Sequence, residues 1–107
     1  MEINQYKIVL VCFDPTIGSE IKKTRPAVVV SPNEINNNLN TITVVPMTTS
    51  LKKYPTRVPV FFNETNGMLA IDQIRTIDKQ RIIKAIGSLT ISEIKKCKEI
   101  IKQTFVD

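Results

Sequence analysis

The 107-residue chain contains no histidine. Histidine is the commonest general base and the commonest metal ligand among side chains, so catalysis here must use arginine, lysine, threonine, serine, tyrosine or a carboxylate. Cysteine is also scarce: Cys12 and Cys97 lie far apart and lack the close spacing of a metal or redox motif. We therefore expect two buried, reduced thiols and no metal site.

Long hydrophobic segments are missing as well. No stretch approaches the length of a membrane-spanning helix, and the first residues lack the basic and apolar segments of a secretory leader. These absences predict a cytoplasmic protein without membrane contact. A length of 107 residues suits one hydrophobic core and is too short for two ordinary domains, so we predict a single domain over residues 1–107.

Acidic residues are the minority among the charges. The chain has 15 Lys+Arg against 10 Asp+Glu, which gives a formal net charge of +5. Such a balance favours association with polyanions. Charge alone fits a basic surface without a specific partner equally well.

Short runs of branched and aromatic residues, separated by polar turns, are typical of β-strands. Asn66 and Gly67 predict a type I′ hairpin turn that pairs the strands on either side. The asparagine-rich connection at 32–40 is compatible with a short helical turn. The predicted strands cover residues 8–13, 27–31, 41–47, 57–62, 68–75 and 82–89.

One helix is predicted at the end of the sequence. Thr90, with Glu93 three residues later, resembles a capping box that opens a helix. Its apolar face would contain Ile94, Cys97, Ile101 and Phe105. Many short strands with tight turns and one terminal helix predict a mostly β protein, folded as a small antiparallel barrel.

Two polar residues stand at the edges of apolar strands. Arg25 precedes Pro26 and a valine run, and Thr48 follows the run that begins at Val44. A guanidinium beside a hydroxyl suggests chemistry on a phosphate. The alternatives are that Arg25 pairs with a carboxylate of Glu20 or Asp72, and that Thr48 only caps a turn.

The segments around these residues resemble the MazF/PemK toxin endoribonucleases. The resemblance rests on Gly18-Ser19-Glu20 leading to Thr24-Arg25-Pro26, on residues 44–49, and on LAIDQIRTIDKQRI at residues 69–82. These motifs occur in the order and with the spacing of the family, from about Ile8 to the C-terminal helix. One element departs, because the family usually has a Gly-Asp pair where this chain has Tyr6 and Lys7.

The resemblance implies an SH3-like barrel of the MazF/PemK/CcdB type. It also implies a ribosome-independent endoribonuclease that cuts single-stranded RNA at short sequences and acts as a homodimer. A cognate MazE-like antitoxin would silence the toxin, and the toxin would contact DNA only through the antitoxin complex.

Within this resemblance Arg25 and Thr48 match the catalytic arginine and threonine of the family. Metal-free RNA cleavage needs the ribose 2′-hydroxyl to attack the adjacent phosphorus, a group that accepts its proton and a cation that stabilises the developing charge. The products would be a 2′,3′-cyclic phosphate and a 5′-hydroxyl. Such a reaction needs no cofactor.

The proton acceptor has two candidates, Asp72 and Glu20, each of which could instead contact RNA or form a structural ion pair. In some relatives an aspartate at the position of Asp72 is proposed as the base, accompanied by an arginine and a histidine. The matching positions here are Ala70 and Ser19. The resemblance therefore favours a mechanism that depends on Arg25 and Thr48.

Further residues are predicted to line the RNA path. Tyr54 or Phe13 would offer a ring for stacking on an unpaired base, and lysines would act as point charges. Gln73 and Arg75 are expected on one face of a strand and Asp72 on the other. A loop that is simply solvated is the alternative. The predicted RNA-binding residues are Ser19, Lys22, Lys23, Thr49, Ser50, Lys52, Lys53, Tyr54, Arg57 and Gln73.

Two other functions are compatible with a small basic barrel. A CcdB-like inhibitor of DNA gyrase would leave RNA intact and depend on an aromatic C-terminal end, which Phe105 matches poorly. A non-catalytic nucleic-acid-binding module would bind RNA with strong salt dependence. The linked motifs around Arg25 and Thr48 favour the endoribonuclease.

Overall fold

The computed structural model describes residues 2–13 and 24–107. Within these ranges the chain forms seven strands, two α-helices and two 3₁₀ turns, and the predicted mostly β architecture with a terminal helix is confirmed. The 3₁₀ turns are Ile71–Gln73 and Lys79–Arg81. The other elements are β1 (Lys7–Cys12), β2 (Thr24–Val29), α1 (Asn33–Asn38), β3 (Thr41–Thr48), β4 (Arg57–Phe62), β5 (Thr65–Ala70), β6 (Arg75–Asp78), β7 (Ile82–Ser88) and α2 (Ile91–Phe105).

The strands form one curled antiparallel sheet in the order β4-β5-β3-β2-β1-β7, with β6 also paired to β3. The outer edge of β3 is shared, because Thr41 to Val44 pair with β6 whereas Met47 and Thr48 pair with β5. The sheet curls until its two ends meet: a Cβ added to Gly87 of β7 would lie 2.6 Å from the Phe62 ring of β4. A side chain at position 87 would therefore force the Phe62 ring to move where the sheet closes.

Both faces of the sheet bury apolar side chains. Val28, Val45 and Leu69 lie in a core that α2 covers with Cys97 and Ile100, and we call this side the helix face. Since side chains alternate along a strand, the neighbouring residues point the other way. They form a second core on what we call the far face, which includes Val11, Ala27, Val29, Ile42 and Val44.

The predicted capping box at the start of α2 is confirmed. Thr90 Oγ1 accepts a hydrogen bond from the Glu93 N–H at 3.2 Å, and Glu93 Oε1 accepts from the Thr90 N–H at 2.9 Å. The other carboxylate oxygen accepts from the Phe61 N–H of β4 at 3.0 Å. Glu93 therefore also fastens the helix to the edge of the sheet.

The predicted apolar face of α2 is partly wrong. Cys97 and Ile100 are the buried residues of the helix, and Ile94 and Ile101 pack beside them. Phe105 is 53% exposed, so it does not belong to the buried face of the helix. In the described part of the chain, no helix is long and apolar enough to cross a membrane.

The hairpin between β4 and β5 is confirmed, but its predicted turn at Asn66 and Gly67 is wrong. The turn residues are Asn63 and Glu64, with φ of 52° and 61°, and Phe62 pairs with Thr65. Two residues with positive φ are the requirement of a type I′ turn. Gly67 lies in β5, where an added Cβ would approach the Thr48 carbonyl oxygen to 3.2 Å.

The predicted strand at 68–75 is interrupted. β5 ends at Ala70, the 3₁₀ turn follows, and β6 begins at Arg75. The expected alternation is therefore wrong: Asp72 and Gln73 are both exposed, although Ile71 is fully buried in the core under the helix. The interruption lets consecutive segments pair with different parts of β3.

The predicted short helix in the asparagine-rich connection is confirmed as α1. Asn36 is 2% exposed, and its Nδ2 donates to the Ser31 carbonyl oxygen at 2.9 Å. Ser31 Oγ donates to Asn36 Oδ1 at 2.5 Å and accepts from the Thr43 N–H at 3.0 Å. These bonds satisfy the buried polar atoms and fix the helix to β3.

The entry turn has the form of a type II turn although it lacks the Gly-Asp pair of the family. The Lys7 N–H donates to the Asn4 carbonyl oxygen at 3.1 Å, and Tyr6 has φ of 69°. This left-handed conformation favours glycine. The Tyr6 ring packs against the core on the helix face, and burial raises the pKa of its hydroxyl.

Candidate functional site

The register of β2 with β3 points to Arg25 and Thr48 as neighbours in the sheet. The paired residues of β2 and β3 run from Val29 opposite Val44 to Ala27 opposite Pro46. Continued by two residues, this register places Arg25 opposite Thr48, and directly opposed side chains lie on the same face. Neighbouring strands are about 4.8 Å apart, so the two functional groups share one patch of the far face.

Arg25 lies inside β2, which begins earlier than the predicted strand at 27–31. Its side chain is half-buried. Its guanidinium makes no ion pair or hydrogen bond with residues 2–13 or 24–107, and the expected alternative partner Asp72 is bound by Arg57 instead. The other expected partner, Glu20, lies outside the described residues. Within the described part of the chain, Arg25 keeps its donors available for an anion.

Thr48 holds its hydroxyl at the end of β3. Its Oγ1 accepts a hydrogen bond from the Ser50 N–H at 3.1 Å, which is the turn contact anticipated as the alternative role. An accepted bond orients the oxygen but leaves the hydroxyl proton for donation. The turn contact and a role on phosphate are therefore compatible.

Asp72 lies in an ion pair with Arg57. Oδ1 accepts from Arg57 Nε at 2.9 Å and from Thr56 Oγ1 at 2.9 Å, and Oδ2 accepts from Arg57 Nη2 at 3.3 Å. These bonds, led by the one from Arg57, hold the pKa of the Asp72 carboxyl below its usual value. A carboxylate stabilised in this way is a weaker proton acceptor.

Arg57 has a different environment from the one expected of a free RNA-binding charge. Its side chain is only 11% exposed, and its guanidinium carbon lies 5.2 Å from the centre of the Tyr54 ring. Arg57 is thus enclosed by Tyr54 and Asp72. The positive charge of Arg57 is therefore paired with Asp72 within the protein, and the Tyr54 ring remains at the surface.

Arg75 is a site residue that the sequence did not reveal. Arg75 pairs with Val44, so its side chain projects from the far face, the face on which Arg25 lies. Its guanidinium carbon lies 5.2 Å from the centre of the Phe13 ring. The sequence could have predicted this position from the alternation of side chains along β6 as it pairs with β3. That prediction required the break after Ala70 to be recognised first.

The basic loop after β3 carries the remaining predicted contacts. Thr49, Ser50, Lys52 and Lys53 are all exposed, and neither lysine has an ion-pair partner among residues 2–13 and 24–107. Gln73 is exposed on the 3₁₀ turn. Ser19, Lys22 and Lys23, also predicted to bind RNA, lie outside the described residues.

A pocket of about 320 Å³ opens next to Thr48 on the helix face, since Met47 and Val60, which line it, belong to the core of that face; Arg25 lies on the opposite side of the sheet. Leu10, Pro26 and Met47 give it apolar walls, and Asn66 contributes an amide from the neighbouring hairpin. Apolar walls with a few polar groups suit a planar ring whose edge carries donors and acceptors.

The site combines the Arg25 guanidinium, which has no partner among residues 2–13 and 24–107, an oriented hydroxyl and a second arginine on one face. Such an arrangement can bind phosphate oxygens and stabilise added negative charge. In the described part of the chain no three Cys, Asp or Glu side chains come close enough to hold a metal ion.

Similar proteins identify the family. The family described as PemK-like, MazF-like toxin of type II toxin-antitoxin systems matches residues 4–105. The chain is 43% identical over 70 residues to the endoribonuclease toxin MazF of Escherichia coli K12, and the match covers 65% of this chain but 63% of that protein. It is 36% identical over 101 residues to endoribonuclease MazF9 of Mycobacterium tuberculosis, covering 83% of this chain and 84% of that protein.

Solved structures share the fold. A chain from the crystal structure of MazE-MazF from Deinococcus radiodurans superposes with a TM-score of 0.85 at 22% identity, covering 96% of this chain and 95% of that chain. The curled sheet with its C-terminal helix is therefore the fold of these toxins. The chain belongs to the PemK-like, MazF-like toxin family of type II toxin-antitoxin systems.

Proposed function

We propose that this chain is the toxin of a toxin-antitoxin system and a sequence-specific endoribonuclease that cleaves single-stranded RNA. The proposal is supported by the register of β2 with β3, which runs toward Arg25 and Thr48, and by the Arg25 guanidinium, which has no ion-pair partner in the described part of the chain. The two similar proteins from Escherichia coli K12 and Mycobacterium tuberculosis are named endoribonucleases. The proposal covers all 107 residues as one domain, which the family match over residues 4–105 supports.

The proposed reaction uses the RNA's own nucleophile. The 2′-oxygen attacks the adjacent phosphorus, the bond from phosphorus to the 5′-oxygen breaks, and a 2′,3′-cyclic phosphate and a 5′-hydroxyl result. Arg25 would bind two phosphate oxygens and stabilise the charge that accumulates on them. Thr48 would donate its hydroxyl proton to a phosphate oxygen. No cofactor takes part in these steps.

The general base stays a prediction. Asp72 and Glu20 are the carboxylates under consideration, and the lowered pKa of Asp72 argues for a positioning role at that residue. Arg75 would add a second positive charge near the phosphate.

The proposed partners follow from the relatives. The neighbouring structure from Deinococcus radiodurans is of a MazE-MazF complex, so a cognate MazE-like antitoxin is proposed to bind this chain and block Arg25. The active form is proposed to be a cytoplasmic homodimer that contacts DNA only in the complex with its antitoxin. The net charge of +5 suits both RNA and an acidic antitoxin segment.

The test is digestion of a long single-stranded RNA in EDTA, followed by mapping of the fragment ends. Wild-type protein should cut at a recurring short sequence and leave cyclic phosphate ends. Arg25→Ala should reduce the rate by about 10²–10³, the loss typical of removing one group that stabilises transition-state charge. Thr48→Ala should also lose activity, whereas Thr48→Ser keeps the hydroxyl and should retain most of it.

Lys98→Ala is the matched control for charge, because Lys98 is exposed on α2, which covers the helix face, whereas Arg25 lies on the far face. It should cut at the wild-type rate. Intact RNA with wild-type protein would overturn the proposal. So would equal activity of wild type and folded Arg25→Ala.

A further inference from the structure

Tyr54 presents an aromatic ring that is held from behind. Tyr54 is 49% exposed. The Arg57 guanidinium carbon lies 5.2 Å from the ring centre, so one face of the ring is occupied by a cation. The exposure of the residue places the remaining ring surface in solvent.

Several hydrogen bonds hold the support behind the ring. Arg57 is bound at both oxygens of Asp72, and Thr56 Oγ1 donates to the same carboxylate. The Arg57 N–H also donates to the Tyr54 carbonyl oxygen at 3.0 Å, which closes a turn between the two residues. A ring fixed before binding loses little conformational freedom when a ligand stacks on it.

The ring belongs to the face that carries the proposed catalytic pair. Arg57 pairs with Ala70 on β5, and Thr48 pairs with Met68 on the same strand. Ala70 and Met68 are two residues apart, so the side chains of Arg57 and Thr48 project from the same face of the sheet. Two strand spacings and two residues of rise separate their Cα atoms by about 12 Å. An RNA strand bridges such a distance in a few nucleotides.

We propose that Tyr54 is a stacking platform for an unpaired nucleobase of the RNA, and that Asp72 and Arg57 are positioning residues for this ring. The inference rests on the proposed function for the identity of the ligand. Lys52 and Lys53 immediately precede Tyr54 in the chain, are exposed, and have no carboxylate partner among the described residues. An aromatic ring flanked by free cations is the pattern that binds single-stranded nucleic acid.

The protein contains its own probe for this contact. It has no tryptophan and two tyrosines, Tyr54 and the partly buried Tyr6. The probe ligand is a single-stranded RNA in which 2′-O-methyl groups block the attacking hydroxyl, so that binding is measured without cleavage. Stacking on Tyr54 should quench the tyrosine fluorescence.

Variants of Tyr54 separate stacking from other contacts. Tyr54→Phe should bind the 2′-O-methyl RNA with wild-type affinity but without the quenching, since only Tyr6 still emits. Tyr54→Leu should bind about tenfold more weakly, as expected for the loss of one stacked base. Wild-type affinity in Tyr54→Leu, or no quenching in wild-type protein, would overturn the platform. Quenching by an acidic peptide but not by the RNA would also overturn it.

Asp72→Asn tests the positioning role against the role of general base. A positioning residue predicts a several-fold higher KM for cleavable RNA with kcat preserved. A general base predicts a collapse of kcat with the quenching unchanged, which would overturn the assignment of Asp72. If wild-type protein leaves cleavable RNA intact, the proposed nuclease fails, and the titration with 2′-O-methyl RNA still decides whether Tyr54 stacks on bases.

Discussion

At the scale of single residues, the arginines of the described chain differ in how much of their charge is already used. Arg57 is bound to Asp72 and stacked on Tyr54, whereas Arg25 has no side-chain partner among residues 2–13 and 24–107. The sequence predicted Arg25 as a catalytic residue and Arg57 as an RNA contact. The environment separates an arginine that organises the protein from one that can bind an anion.

The ion pair of Asp72 predicts a dependence of stability on pH. Because the pKa of the folded carboxyl is lowered, its contribution is present above the unfolded value of 3.8 and is lost as the pH falls through the folded value. Asp72→Asn should therefore be less stable than wild type at pH 7. The difference should be below about 1 kcal/mol, since a partly exposed pair contributes little.

Urea unfolding at pH 7 and at steps down to pH 2.5 measures this effect in both proteins. The gap between wild type and Asp72→Asn should close in acid, where the wild-type carboxyl is protonated. A gap that stays constant over the whole range would show that Asp72 stabilises the fold by something other than its charge.

At the scale of elements, Glu93 connects α2 to the edge strand β4. Its carboxylate accepts from the Thr90 N–H and the Phe61 N–H, so Glu93→Ala removes a helix cap and leaves a strand N–H without its partner. We expect a loss of about 1–3 kcal/mol in the free energy of unfolding. Chemical denaturation followed by circular dichroism provides the measurement.

Glu99 offers a matched control on the same helix. It is exposed, and its ion pair with Lys96 is long at 3.7 Å. Glu99→Ala should change stability by less than about 0.5 kcal/mol. An equal loss in both variants would mean that helix propensity or charge, rather than the contact with β4, explains the effect of Glu93.

Elements with a local signal could be predicted from the sequence. The bounds of β4 agree with the predicted strand, and the pairing of Thr90 with Glu93 identified the start of α2. The turn at Asn63 and Glu64 was missed because Asn66-Gly67 carries the stronger signal for a turn. At Gly67 an added Cβ would lie 3.2 Å from the Thr48 carbonyl oxygen, a tight contact. Glycine there instead allows β5 to approach β3 closely, which is a contact between distant segments of the chain.

The candidate site shows the same division. The motifs predicted Arg25 and Thr48, and the register of β2 with β3, continued two residues beyond its last pair, places them opposite each other. The side-chain partners of Asp72 could not be predicted, because they depend on a 3₁₀ turn that interrupts an apparently continuous strand. The contribution of Arg75 depends on the same interruption.

At the scale of the whole molecule, Cys97 reports on the integrity of the fold. It is 0% exposed, and burial raises the pKa of its thiol to about 11. At pH 8 the native thiol is both inaccessible and protonated, so it should react with a disulfide reagent only when the sheet and helix separate. In a Cys12→Ser variant, Cys97 should react with the reagent only after the protein unfolds.

The measurement is the rate of thiol labelling across a urea titration of Cys12→Ser. The midpoint of labelling should agree with the midpoint from circular dichroism, as two-state unfolding requires. Fast labelling in the absence of urea would show that α2 leaves the sheet without global unfolding.

The alternation along β3 has a consequence for the accuracy of the proposed nuclease. Thr48 shares this strand with Val44 and Val45, which are buried on opposite faces of the sheet. A slip of one residue against β2 would exchange the two faces and force both cores to be rebuilt. Buried valines outside the proposed site therefore fix the alignment of Arg25 with Thr48. Changing that alignment would require the protein to misfold.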